Sequence, residues 1–155
     1  MIIKNQYVIN HKPLIPEILK DKVKIFSTCC LTVDEVKTFN LALQTVADHL
    51  KKEKINLNNH QLVNIIFTEN GEIVFYEDIE TVTGIQMSVI AYMMDKIRKL
   101  DSLTILTIVY IEELVHFFWR IYDETEVKYK VVEIIRDIIP EFTIEDMKGM
   151  GFNGL

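Results

Sequence analysis

Glu112, Glu113 and His116 are the residues whose types and spacing can do chemistry. On a helix advancing 100° per residue, Glu112, His116, Arg120 and Asp123 fall within about 80° of arc, with Glu113 at its edge. A carboxylate and an imidazole four residues apart can hold a metal ion between them. A second reading stays open on the same residues. Glu113, His116, Arg120 and Glu124 also stand at the spacing of helical ion pairs, and a buried charge is tolerable when paired.

The element that must position these groups is the stretch Leu103 to Ile121, LTILTIVYIEELVHFFWRI. Its apolar residues occur on every side of a helical wheel, so the spacing predicts a buried helix over 103–121 at the centre of the domain. Ile105 and Val109 precede the charged residues on the same arc, so one face turns from apolar to charged halfway along. A membrane span has the right length, but Glu112, Glu113, His116 and Arg120 make insertion costly.

Around this helix the 155 residues read as a single domain, 1–155, large enough to bury a core. Apolar residues make up 49% and charged residues 26%, the balance of a globular chain. A net charge of −6 with no basic cluster argues against a nucleic-acid partner. The first residues, MIIKNQYVINHKP, show no signal-peptide pattern. Cys29 and Cys30 are adjacent, which disfavours both an ordinary disulfide and a zinc knuckle. Reduced, buried thiols in a cytoplasmic protein are the expectation.

In chain order, residues 2–9 can form an edge strand, and 17–26 a short helix or extended segment. T-V-D-E at 32–35 is a capping box before a helix from about Val33 to Lys54. Val36, Phe39, Leu43, Val46 and Leu50 give that helix one apolar face. Two β-rich runs flank Asn70-Gly71, which predicts a hairpin with a type I′ turn, and a third strand covers 81–84. Ile85, Val89, Met93, Ile97 and Leu100 recur at helical spacing, although part of that segment can extend the sheet. Asp101 is expected to cap the central helix. Asp123 and Glu126 form a second capping box, before a helix that runs to about Ile139 and is stopped by Pro140. A short last helix ends at Gly149. Together these elements predict an α+β fold with a small antiparallel sheet packed against helices.

The quintet Glu112-Glu113-Leu114-Val115-His116 resembles the zincin metallopeptidase motif His-Glu-x-x-His, with Glu112 in place of the first histidine. In that family two side chains four apart bind zinc and the intervening glutamate activates a water. The chain is similar, further, to the phage- and mobile-element-type zincins that cleave repressors. They carry a third ligand on the next helix in a pattern like E-A-N-x-F-A-A-E-L-L, often followed by a proline. Here Glu126-Val127-Lys128-Tyr129-Lys130-Val131-Val132-Glu133-Ile134-Ile135 stands in that place, with Pro140 beyond. The resemblance covers residues 103–140. It implies a zincin-like fold and ligation of zinc by Glu112, His116 and Glu126, with manganese or iron as alternatives for so hard a Glu/His pair. It also implies Glu113 as general base, Glu133 as a further acid, and a protein or peptide substrate. A ferritin-like reading of Glu113 and His116 as Glu-x-x-His needs a second such pair, and none of His11, His49 and His60 has a glutamate three residues before it. The rival to a hydrolase is a non-enzymatic interaction protein whose Glu/His/Arg cluster is a buried structural ion-pair network.

Overall fold

The computed structural model describes residues 2–3, 11–76, 86–100 and 102–152. In chain order they form β1 (Ile2–Ile3), β2 (Val23–Ser27), α1 (Val33–Lys52), β3 (Val63–Thr68), β4 (Phe75–Tyr76) and β5 (Ser88–Met93). The short helix α2 (Met94–Ile97) follows, then α3 (Leu103–Trp119), α4 (Glu124–Ile135) and α5 (Ile144–Gly149). The fold is α+β, as the sequence predicts.

The sheet is parallel, not antiparallel. Its order is β2-β3-β5, with Ile25 opposite Ile65 and Ile65 opposite Ile90. Asn70 and Gly71 do turn the chain: Gly71 takes φ +88°, and the Asn70 side chain accepts from the Glu72 amide at 3.1 Å. The strand beyond the turn pairs elsewhere, because β2 and β5 already occupy both edges of β3. The two-residue β4 lies antiparallel to β1 instead. All six residues of β3 are buried, the pattern of a strand covered on both faces. The third strand expected at 81–84 lies outside the described residues.

Three boundaries also move. Ser102 caps α3, its side chain accepting from the Thr104 amide at 3.2 Å, while Asp101, expected in that role, lies outside the described residues. The segment read at helical spacing from Ile85 is strand β5 followed by the single turn of α2. Helix α4 ends at Ile135, and the chain continues in turns before Pro140 is reached.

Helix α1 starts where the capping box places it. Thr32 Oγ1 accepts from the Glu35 amide at 3.2 Å, and the Thr32 amide donates back to Glu35 Oε2 at 2.7 Å. The Glu35 carboxylate also receives Arg98 Nε at 2.8 Å, which ties this end of α1 to the turn after α2. Thr32→Ala should therefore lower stability by about 1 kcal/mol, read from the urea midpoint at constant slope.

Helix α3 is the centre of the packing. It lies against α1 on one side and α4 on another. Ile108, Tyr110, Ile111, Leu114 and Val115 are buried completely. Phe39 of α1, Phe67 of β3, Tyr92 of β5 and Tyr110 of α3 meet edge-on or stacked, which joins helices and sheet in one core. Tyr92 is the polar exception handled internally, its hydroxyl donating to the Tyr110 carbonyl at 2.9 Å. Both cysteines are free thiols; Cys29 is buried as expected, but Cys30, one residue further on, is exposed.

Candidate functional site

The charged half of α3 ends at a sharp corner. After Trp119 the backbone of Arg120 enters the left-handed region (φ 56°, ψ 37°), which stops the helix before the predicted Ile121. Asp123 then caps α4, with Oδ1 accepting from the amides of Thr125 and Glu126 at 3.0 Å each. The corner brings Ile121 back under α3, so that His116 Nδ1 lies 2.7 Å from the Ile121 carbonyl oxygen. A carbonyl can only accept, so Nδ1 carries the proton and donates. In the neutral ring Nε2 then carries the lone pair; it lies 3.8 Å from Glu124 Oε1.

Glu112 is partly buried beside this imidazole. Burial raises its carboxyl above the ordinary range, and the charges of Glu113 and Glu124 add to the rise, while His116 and Lys128 oppose it. Glu113 is exposed and faces an open cavity of about 430 Å³ between the end of α3, the chain ahead of β3 and the start of β5. His116, Phe117 and Arg120 share that cavity with His60 and Val89. His60 faces carbonyl oxygens with both ring nitrogens, Phe118 at 2.9 Å and Asn56 at 3.3 Å. Its ring fastens the loop to the end of α3 and is not free to bind a metal.

The predicted residues are therefore placed as follows. Glu112, Glu113 and His116 share the end of α3, with Glu113 and His116 on the cavity. Glu126 is exposed two positions further along α4 than Glu124, a rotation of about 200°, so Glu124 is the acid beside His116. Among the described residues, the ligating atoms of Glu112, His116 and Glu126 do not converge within 4.8 Å of one another, and those of His49, Glu53 and Glu133 do. Arg120 joins neither Glu113 nor Glu124. It donates Nη2 to the Asn59 carbonyl at 2.7 Å.

The cluster at His49 is one the sequence reading did not single out. His49 is 1% exposed; its Nδ1 lies 3.4 Å from Glu53 Oε1 and its Nε2 2.8 Å from Asp137 Oδ2, the latter without the alignment of a hydrogen bond. Glu53 accepts from Trp119 Nε1 and from Lys130 Nζ, both at 2.8 Å, and Lys130 also reaches Glu133 at 2.9 Å. The Lys130 ammonium lies 5.2 Å from the centre of the Trp119 ring. A metal ion there has to displace that ammonium, so the cation of this cluster is a lysine. Its sequence signal was the i,i+4 pair His49/Glu53 and the i,i+3 pair Lys130/Glu133.

No family model, curated protein or solved structure matches this chain. No described helix is long and apolar enough to cross a membrane.

Proposed function

We propose that this chain is a zincin-like metallopeptidase-related domain, acting at the corner between α3 and α4. The observation that carries the reading is the 2.7 Å contact from His116 Nδ1 to the Ile121 carbonyl. Metal-binding histidines fix their tautomer and ring orientation by such a bond through the other nitrogen. Glu112 and His116 from α3 and Glu124, in the place the motif gave to Glu126, are donor types that suit a divalent cation; their ligating atoms do not converge within 4.8 Å of one another and would have to draw together around it. Nitrogen and oxygen donors of this mix suit zinc, manganese or iron. Such an ion, when bound, supplies Lewis acidity towards a peptide carbonyl. Glu113 faces the cavity from the same turn of helix and can take a proton from water at its carboxylate. The cavity admits a protein or peptide segment, and the free thiols fit a cytoplasmic setting.

The rival proposal is a non-enzymatic interaction protein, supported by the spread of the Glu112, His116 and Glu126 ligating atoms. A thermal-shift series separates the two. Under the metallopeptidase reading, zinc or manganese raises the parent's melting temperature, since an ion at a hundred times its Kd stabilises by about 2.7 kcal/mol. The rise should vanish in His116→Gln, shrink more in Glu124→Gln than in Glu126→Gln, and persist in Glu133→Gln. No rise in the parent, or a rise lost only in Glu133→Gln, overturns the proposal.

A further inference from the structure

Arg120 occupies a backbone conformation that a glycine adopts freely and an arginine does not. Its left-handed φ of 56° is the usual way to end a helix, but with a Cβ present it carries a steric cost. Sparsely populated conformations held against such a cost cluster at ligand sites. The side chain is exposed on the cavity described above and joins no ion pair among the described residues. Its hydrogen bond there, Nη2 to the Asn59 carbonyl, engages one of five N–H donors. The remaining fork matches the two oxygens of a carboxylate.

The rest of the cavity narrows the ligand. Phe117 and the half-exposed Val89 provide an apolar wall next to the guanidinium. Glu113 lines the same space, with Glu112 behind it, and their charges disfavour a doubly charged anion such as a phosphate monoester. We infer that Arg120 anchors a singly charged carboxylate adjoining an apolar group. Resting on the peptidase reading, this carboxylate is the C-terminus of a peptide, and the cavity holds chain ends rather than internal segments. Arg120 is thus a specificity-determining residue about two turns along α3 from the proton-accepting Glu113.

Calorimetric titration in chelator tests this separately from any metal. The probes are the tripeptide Ala-Ala-Phe, its C-terminal amide and N-acetylphenylalanine. The acid is expected to bind roughly tenfold to a hundredfold more tightly than the amide, the range for a charge-assisted pair. Arg120→Gly should abolish that preference while the melting temperature holds or rises, because glycine relieves the left-handed turn. Arg120→Lys should keep part of it, having the charge without the fork. Tighter binding of the tripeptide than of N-acetylphenylalanine supports a peptide terminus, and equal binding overturns that source. Equal binding of acid and amide by the parent, binding of neither, or a preference that survives in Arg120→Gly overturns the inference. Because no metal is present in this titration, its failure leaves the thermal-shift result for His116 untouched.

Discussion

Phe39→Ala should destabilise the protein by about 4 kcal/mol, the upper part of the range for a buried aromatic. Phe39 has no exposed surface and sits where α1 meets both α3 and the sheet. Its ring meets Phe67 at 5.0 Å and Tyr110 at 5.2 Å, each nearly perpendicular, and Tyr92 at 6.0 Å. Edge-to-face pairs of this kind contribute about 0.5–1.5 kcal/mol beyond the area they bury. The three partners come from three different elements, so collapse around the vacated volume has to move α3 or the sheet. Urea unfolding of the alanine and leucine variants measures it. Phe39→Leu should lose distinctly less, and a loss under about 1 kcal/mol for alanine would contradict the packing of α1 on this core.

Glu53→Ala should cost about 3 kcal/mol, because it leaves the Lys130 ammonium, only 13% exposed, with Glu133 as its remaining carboxylate. It also strips the Trp119 indole of its acceptor. The same carboxylate gives an acid dependence. Burial pushes the Glu53 carboxyl up, but hydrogen bonds from Lys130 and Trp119 outweigh it and hold the group below the ordinary carboxylate range. A group depressed on folding contributes stability that is complete above its unfolded pKa and is lost as pH falls through its folded value. The contribution of Glu53 is therefore intact at neutral pH and drains away below about pH 4. Denaturant titrations of the parent and Glu53→Gln between neutral and acid pH should show a stability gap that closes as pH falls. A gap that widens towards acid would refute the sign.

The helices were legible because their signals are local. Thr32 and Glu35 close their reciprocal box within one turn, and Phe39, Leu43, Ile111, Leu114, Val131 and Ile134 are all buried where the periodicity puts them. The sense of the sheet was not, because strand pairing is tertiary. VNIIFT at 63–68 has no apolar alternation, which is how a strand covered on both faces reads, and the Asn-Gly turn beside it outweighed that cue. The segment from Ile85 misled for a different reason. Residues four apart share a face in a helix and in a strand alike, so Val89 and Met93 supported either element. In β5 these two are 38% and 36% exposed, and it is Ile90 and Tyr92 that enter the core.

At the site, the closeness of Glu112 and His116 follows from spacing on one helix. Which acid of α4 stands nearby does not, because it depends on the left-handed residue that ends α3 and on the turn that re-aims the next helix. Nothing in an arginine announces that conformation. The His49 cluster gathers residues from α1, α3 and α4, and only the packed helices bring them together.

The parallel sheet has a kinetic consequence. β3 is the middle strand, and no tight turn delivers it to either neighbour: α1 intervenes before it, and a long stretch of chain separates it from β5. Hairpin zippering is therefore not open to this sheet, and each ladder forms only after a large loop has been closed. The early gains available to the chain are the contacts of α3 with the helix that follows it, which are near in sequence. On this topology the strands are expected to assemble once α1 docks on that pair, rather than by pairing first. Until that docking occurs, β3 is a largely apolar segment with both edges open, which makes the period before closure the time when this chain is most exposed to pairing with another copy.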